Sequence, residues 1–147
     1  MKSSGLLLLP FLFLLVAAIT LACGSPKMTA SNCPATGSTN GDIPQSISLC
    51  PVTADAQNYQ GGLVQFVATG TYQSSPSPAA PLAAFWGACY QNAPTTEISI
   101  TNKGVASCNP GATGQFAIFA SVPTQCDAIT ACGGACQVSG YAQLTCP

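Results

Sequence analysis

After about residue 44 the chain is a succession of short segments in which apolar and polar positions alternate, each ended by turn-forming residues. "SISLCPV" (46–52) places Ile47 and Leu49 on one side, and "LVQFVATGTY" (63–72) places Val64, Phe66 and Ala68 on one face with Gln65 and Thr69 among those on the other. "PLAAFWGACY" (81–90) is more continuously apolar, as a central strand can be. "TEISIT" and "GVASC" are two short pieces, "GQFAIFASV" (114–122) alternates around Phe116 and Ile118, and "SGYAQLTC" ends the chain. The breakers between them are "YQGG", "SSPSP", "NKG" and "NPGATG", combinations that supply the backbone angles of tight turns. Side chains of a strand point alternately to its two faces, so period-two segments at this spacing, with no helical stripe, predict an antiparallel β-sandwich over 45–147.

The N-terminus has a different pattern. Lys2 precedes an apolar run of 18 residues, "GLLLLPFLFLLVAAITLA" (5–22), the layout of a secretory signal. As a helix it would span roughly 27 Å, near the lower limit for crossing a bilayer, so a retained anchor is the competing reading. "ITLACG" (19–24) resembles a bacterial lipobox, with Ala22 before Cys23 and with Thr20 where leucine is usual. That resemblance implies cleavage after residue 22 and a lipid on Cys23, which would bring the chain to a membrane. The implied location is the bacterial cell envelope, and the outer membrane if the host has one, since Gly24 follows the cysteine. Residues 23–44, rich in Ser, Thr, Gly, Asn and Pro without apolar periodicity, read as a tether.

Composition narrows the chemistry. The 147 residues hold three Lys and Arg, four Asp and Glu and no histidine, for a net charge of −1. No basic cluster exists to neutralise a row of phosphates, so nucleic acid is not an expected partner. Without histidine a Ser-His or Cys-His nucleophile is impossible, and the scattered acids suggest no glycosidase pair. The expectation is a non-enzymatic protein with no cofactor and no metal. Asp55, Glu97 and Asp127 are the acids that could join a calcium site in sandwich loops, but they lack the alternating acidic run of a specific loop and read as solvated acids or caps.

Nine cysteines are present. If Cys23 carries lipid, the even set Cys33, Cys50, Cys89, Cys108, Cys126, Cys132, Cys136 and Cys146 remains, which in an exported chain points to as many as four disulfides in any of about 105 connectivities. "CGGAC" (132–136) has one residue too many for a thioredoxin-like dithiol and no cationic neighbour, and structural disulfides are preferred there over redox or metal chemistry. Tyr59 and Tyr90, in or beside loops, are the candidate ligand-binding aromatics.

"ISLCPVTADAQNYQGGLVQFVATGTYQ" (47–73) is similar to the opening of bacterial immunoglobulin-like domains of group 2, with "QFVATGTY" its most specific part. Trp86 falls where that family has its core tryptophan, and "ISITNKGVASCNPGATGQFAIFAS" (98–121) follows the family's closing strands. The resemblance implies an immunoglobulin-like sandwich with a structural or adhesion role toward a protein or glycan ligand, which the disulfides expected from the cysteine count would brace. The immunoglobulin-like layout also implies that Cys89 meets Cys108 and that Cys126 lies near Cys132 or Cys136; the cysteine-dense tail from Pro123 departs from the family, whose members are usually cysteine-poor, and reads as an elaborated last hairpin. The alternative function is a secreted carbohydrate-binding or inhibitor-like module that uses exposed aromatics.

Overall fold

The computed structural model describes Cys33 and residues 42–74, 77–122 and 126–147. The segment 1–22 expected to be a signal, Cys23 expected to carry lipid and most of the expected tether 23–44 lie outside the described residues. No helix among the described residues is long and apolar enough to cross a membrane.

The fold is all-β with one short helix. Its strands are β1 (Ser46–Cys50), β2 (Thr53–Asp55), β3 (Val64–Gln65), β4 (Val67–Thr71), β5 (Phe85–Tyr90), β6 (Ala93–Pro94), β7 (Ile98–Ile100), β8 (Val105–Cys108), β9 (Gly114–Ser121) and β10 (Ser139–Cys146), with α1 (Ala128–Cys132) between the last two. A five-stranded sheet runs in the order β2-β10-β9-β5-β6, a three-stranded sheet in the order β3-β8-β7, and β1 pairs with β4. All pairings are antiparallel except β2 with β10, which is parallel.

The alternation read from the sequence is the alternation of burial. Ile47 and Leu49 of β1, Val64, Phe66 and Ala68 along β3 and β4, Ile98 of β7, Ala106 of β8, Phe116 and Ile118 of β9 and Leu144 of β10 share one core. Strands of all three sheets line it, so their apolar faces leave water together, the dominant favourable contribution to such a fold. Trp86 is partly buried and packs against this core.

One position joins two strands to the core by backbone alone. Between β3 and β4 the Phe66 amide donates to the Gly104 carbonyl at 2.8 Å, and Gly104, with φ +78, closes the Thr101–Gly104 turn ahead of β8. Gln65 fixes the same junction, its Nε2 donating to the carbonyls of Phe66 and Lys103 at 2.7 and 2.8 Å.

All eight cysteines other than Cys23 are bonded in pairs: Cys33–Cys50, Cys89–Cys132, Cys108–Cys146 and Cys126–Cys136. The Cys89–Cys108 pairing implied by the resemblance is therefore corrected. Ala88 faces the main core, and Cys89, one residue later, joins a separate cluster on the other side of the five-stranded sheet. A one-residue step along a strand reverses the face, which takes Cys89 away from the core side where Cys108 and Cys146 lie. Of the two options for Cys126, the bond goes to Cys136.

Candidate binding cleft

The face of the five-stranded sheet turned away from the main core is built by the odd-numbered residues of its central strands. Tyr141 of β10 lies opposite Phe119 of β9 and Gln143 opposite Ala117, while Gly87 and Cys89 of β5 lie opposite Phe119 and Ala117 on the other side. A phenylalanine on an outer face would ordinarily meet water, yet Phe119 is fully buried. The segment between β9 and β10 folds over it, and Cys89, Phe119, Ala131 and Cys132 form a second apolar cluster with Cys126, Ala128 and Cys136 packed around them. Gly87 leaves room for the ring: a Cβ there would stand 2.5 Å from Phe119 Cε1.

Helix α1 has only five residues, too few to be stable through helix propensity alone. Its ends and its bonds hold it instead. The Asp127 carboxylate accepts from the Thr130 amide at 2.7 Å as an N-cap, the interaction that satisfies an otherwise orphaned helix donor. Hydrogen bonds from Thr130 hold the Asp127 carboxyl below its ordinary value. At the other end, the Gly133 amide donates to Ile129, Gly134 to Ala131 and Ala135 to Thr130. The Cys89–Cys132 bond fastens α1 to β5, and Cys126–Cys136 closes the segment around it. The "CGGAC" motif is thus the exit turn of a disulfide-clasped helix, and both of its cysteines are bonded to partners outside the motif.

Because α1 covers only part of the face, a cleft of about 760 Å³ remains beside it, within the range of small-molecule sites. It crosses the strands from Thr53 of β2, over Gln143 and Gln115, to Gln91 and Asn92 of the β5–β6 turn, with Tyr141 beside the helix. The Tyr141 hydroxyl donates to the Ala131 carbonyl at 2.7 Å and accepts from the Ser139 hydroxyl at 3.2 Å, which fixes its ring while leaving 41% of the residue exposed. Gln143 Nε2 donates to Gln115 Oε1 at 2.9 Å across the β10–β9 pair. Among the described residues no Lys, Arg, Asp or Glu lines the cleft.

The two aromatics singled out from the sequence behave differently. Tyr59 is a correction: it is 4% exposed and belongs to the main core, because the two short helical turns at 56–58 and 60–62 carry it inward instead of leaving it in a loop. Tyr90 is exposed, but its ring packs on Phe116 at 5.3 Å between centroids, at the margin of the core-facing side. The structure does not bring the two together on a binding face. Tyr141 was missed as a site residue, although "YAQ" in the last segment carried the signal, since it places Tyr141 and Gln143 opposite the apolar Ala142 and Leu144. Of the acids weighed for calcium, Asp55 caps the 56–58 turn by accepting from Gln57 and Asp127 caps α1. Among the described residues no group of three or more metal-ligating side chains comes together. Compared with known proteins, the chain matches no protein-family model and no curated protein.

Proposed function

We propose that the chain is a non-enzymatic lipoprotein of the bacterial cell envelope, with a signal peptide over 1–22, a lipid on Cys23, a tether over 23–44 and one immunoglobulin-like β-sandwich over 45–147 that serves structure or adhesion. The observation that carries this reading is the closed pairing of the other eight cysteines, which leaves Cys23 as the odd one, beside its lipobox-like context. Four disulfides suit an oxidising compartment outside the cytoplasm. The immunoglobulin-like assignment is supported by the strand order. β1-β4 and β3-β8-β7 become one layer when β3 and β4 are taken as a strand interrupted at Phe66, and β2-β10-β9-β5-β6 forms the other.

Binding rather than catalysis fits a chain without histidine, whose cleft beside α1 is lined by amides, a tyrosine and apolar groups. A fold of this kind carries many functions, so the cleft is the part that specifies one. The test is the intact mass of the protein extracted from membranes of its host. A diacyl or triacyl adduct on a chain that begins at Cys23 is expected. A chain that retains residues 1–22 refutes the lipid anchor in favour of a retained apolar one, and a chain that begins after Cys23 without lipid refutes both.

A further inference from the structure

We propose that the cleft between α1 and the β5–β6 turn binds a neutral oligosaccharide, with the Tyr141 ring as the stacking platform and the amides of Gln115, Gln143, Gln91 and Asn92 as hydroxyl partners. This deepens the binding-module reading above and rests on it.

Four properties of the cleft select this ligand class. First, no charged residue is among the described residues that line the cleft, so a phosphate, a carboxylate or an amine would find no counter-charge there to offset the hydration it gives up. Second, the polar groups that converge are mostly carboxamides. Each offers both donors and acceptors, as sugar hydroxyls do, and the Gln143–Gln115 bond uses one donor and leaves further capacity on both side chains. Third, the Tyr141 ring is half open and already held through its hydroxyl, so little freedom remains to be lost when the C–H face of a pyranose packs on it. Fourth, the cleft runs across the strands on a sheet face, from Thr53 to Asn92. A peptide adding as a strand needs the free edge at β2 or β6 instead.

The floor is rigid for the same reasons that α1 is. The Cys89–Cys132 bond is buried at the foot of the helix and lines the cleft, and Gly133 and Gly134 form the wall with no side chain to narrow it. The platform, the amides and the wall therefore come from β10, β9, the β5–β6 turn and the exit of α1, each fixed to the others by a ladder or a disulfide.

The experiment titrates the full chain, in a detergent without a sugar headgroup, with neutral hexasaccharides of glucose, mannose, xylose and N-acetylglucosamine and with an acidic oligogalacturonate. Saturable heat with at least one neutral oligomer is expected. Affinity should fall roughly tenfold or more, about 1.4 kcal/mol, in Tyr141→Ala and in the Gln115→Ala/Gln143→Ala double variant. Tyr141→Phe, which keeps the ring and removes the bond to Ala131, is expected to stay within about threefold of the parent. Leu63→Ala, at an exposed side chain that does not line the cleft, should bind as the parent does. Thermal midpoints of each variant separate lost binding from lost folding, and the Gln115→Ala/Gln143→Ala double variant keeps the test decisive if Tyr141→Ala fails to fold, since unchanged binding by that folded variant also overturns the proposal. The proposal is overturned if no neutral oligomer saturates, if the acidic one binds as tightly as the best neutral one, or if folded Tyr141→Ala binds unchanged. Lipid on Cys23 without glycan binding retires the cleft proposal and leaves the anchored module standing, and glycan binding without lipid does the reverse.

Discussion

Removing the Cys108–Cys146 bond as the double variant Cys108→Ala/Cys146→Ala is expected to cost about 4 kcal/mol of stability, the chain-entropy value for a closed loop of this length. The two residues are 38 apart in sequence, and they join the end of β8 in the three-stranded sheet to the end of β10 in the five-stranded one. Cys146 is buried in the main core and Cys108 packs against it, so the bond also spans the region where the sheets share their apolar contents, and its loss leaves unfilled volume there. A domain of this size has about 5–15 kcal/mol to lose, and the thermal midpoint is expected to fall by roughly 15 °C or more. Thermal unfolding followed by circular dichroism without reductant measures this directly. A fall of only a few degrees would mean that the bond constrains little and that packing alone holds the sheets together.

Gly104→Ala carries the second large effect, for a different reason. The added Cβ would lie 2.5 Å from the Phe66 carbonyl oxygen and 2.8 Å from Trp86 Cζ2. Backbone cannot yield as a flexible side chain does, and the Phe66 amide is already bound to the Gly104 carbonyl. Left-handed backbone disfavours alanine by about 1 kcal/mol, and overpacking against fixed atoms adds about 1–3 kcal/mol, so a total near 3 kcal/mol is expected. Gly111→Ala supplies the control, because Gly111 has φ +87 with nothing within 4 Å of the added atom, and there only the conformational part should appear. Urea unfolding followed by the fluorescence of Trp86, the single tryptophan, compares the two. Equal losses in both variants would show that the contact with Phe66 and Trp86 is easily relieved.

Much of the strand pattern was legible because it rests on alternation. The buried set Val64, Phe66 and Ala68 was visible as a period-two stripe and β10 followed in the same way, whereas β9 alternates only as far as Ile118, after which both faces are buried. Elements too short for a period were not legible: β2 has three residues, β6 two and α1 five, fewer than any hydrophobic periodicity needs. Helix α1 in particular depends on two disulfides and a cap rather than on an apolar stripe. Cysteine parity could be read from the count, whereas connectivity depended on which face of β5 Cys89 occupies, and a continuously apolar segment such as "AFWGACY" does not reveal its faces. The same limit concealed the cleft. Its residues come from β2, β9, β10 and the β5–β6 turn, and they converge only once the segment before β10 has folded back over Phe119.

The account depends most on that fold-back, since the clasp of α1 to β5 buries Phe119 and builds the cleft. Its most direct test is a peptic digest of the unreduced protein, at low pH where disulfides do not exchange, with the linked peptides identified by mass spectrometry. The predicted result is Cys89 joined to Cys132, Cys126 to Cys136, Cys108 to Cys146 and Cys33 to Cys50, with no free thiol among the eight. Peptides joining Cys89 to Cys108, or Cys132 and Cys136 recovered as thiols, would contradict it, because α1 would then have no attachment to the sheet.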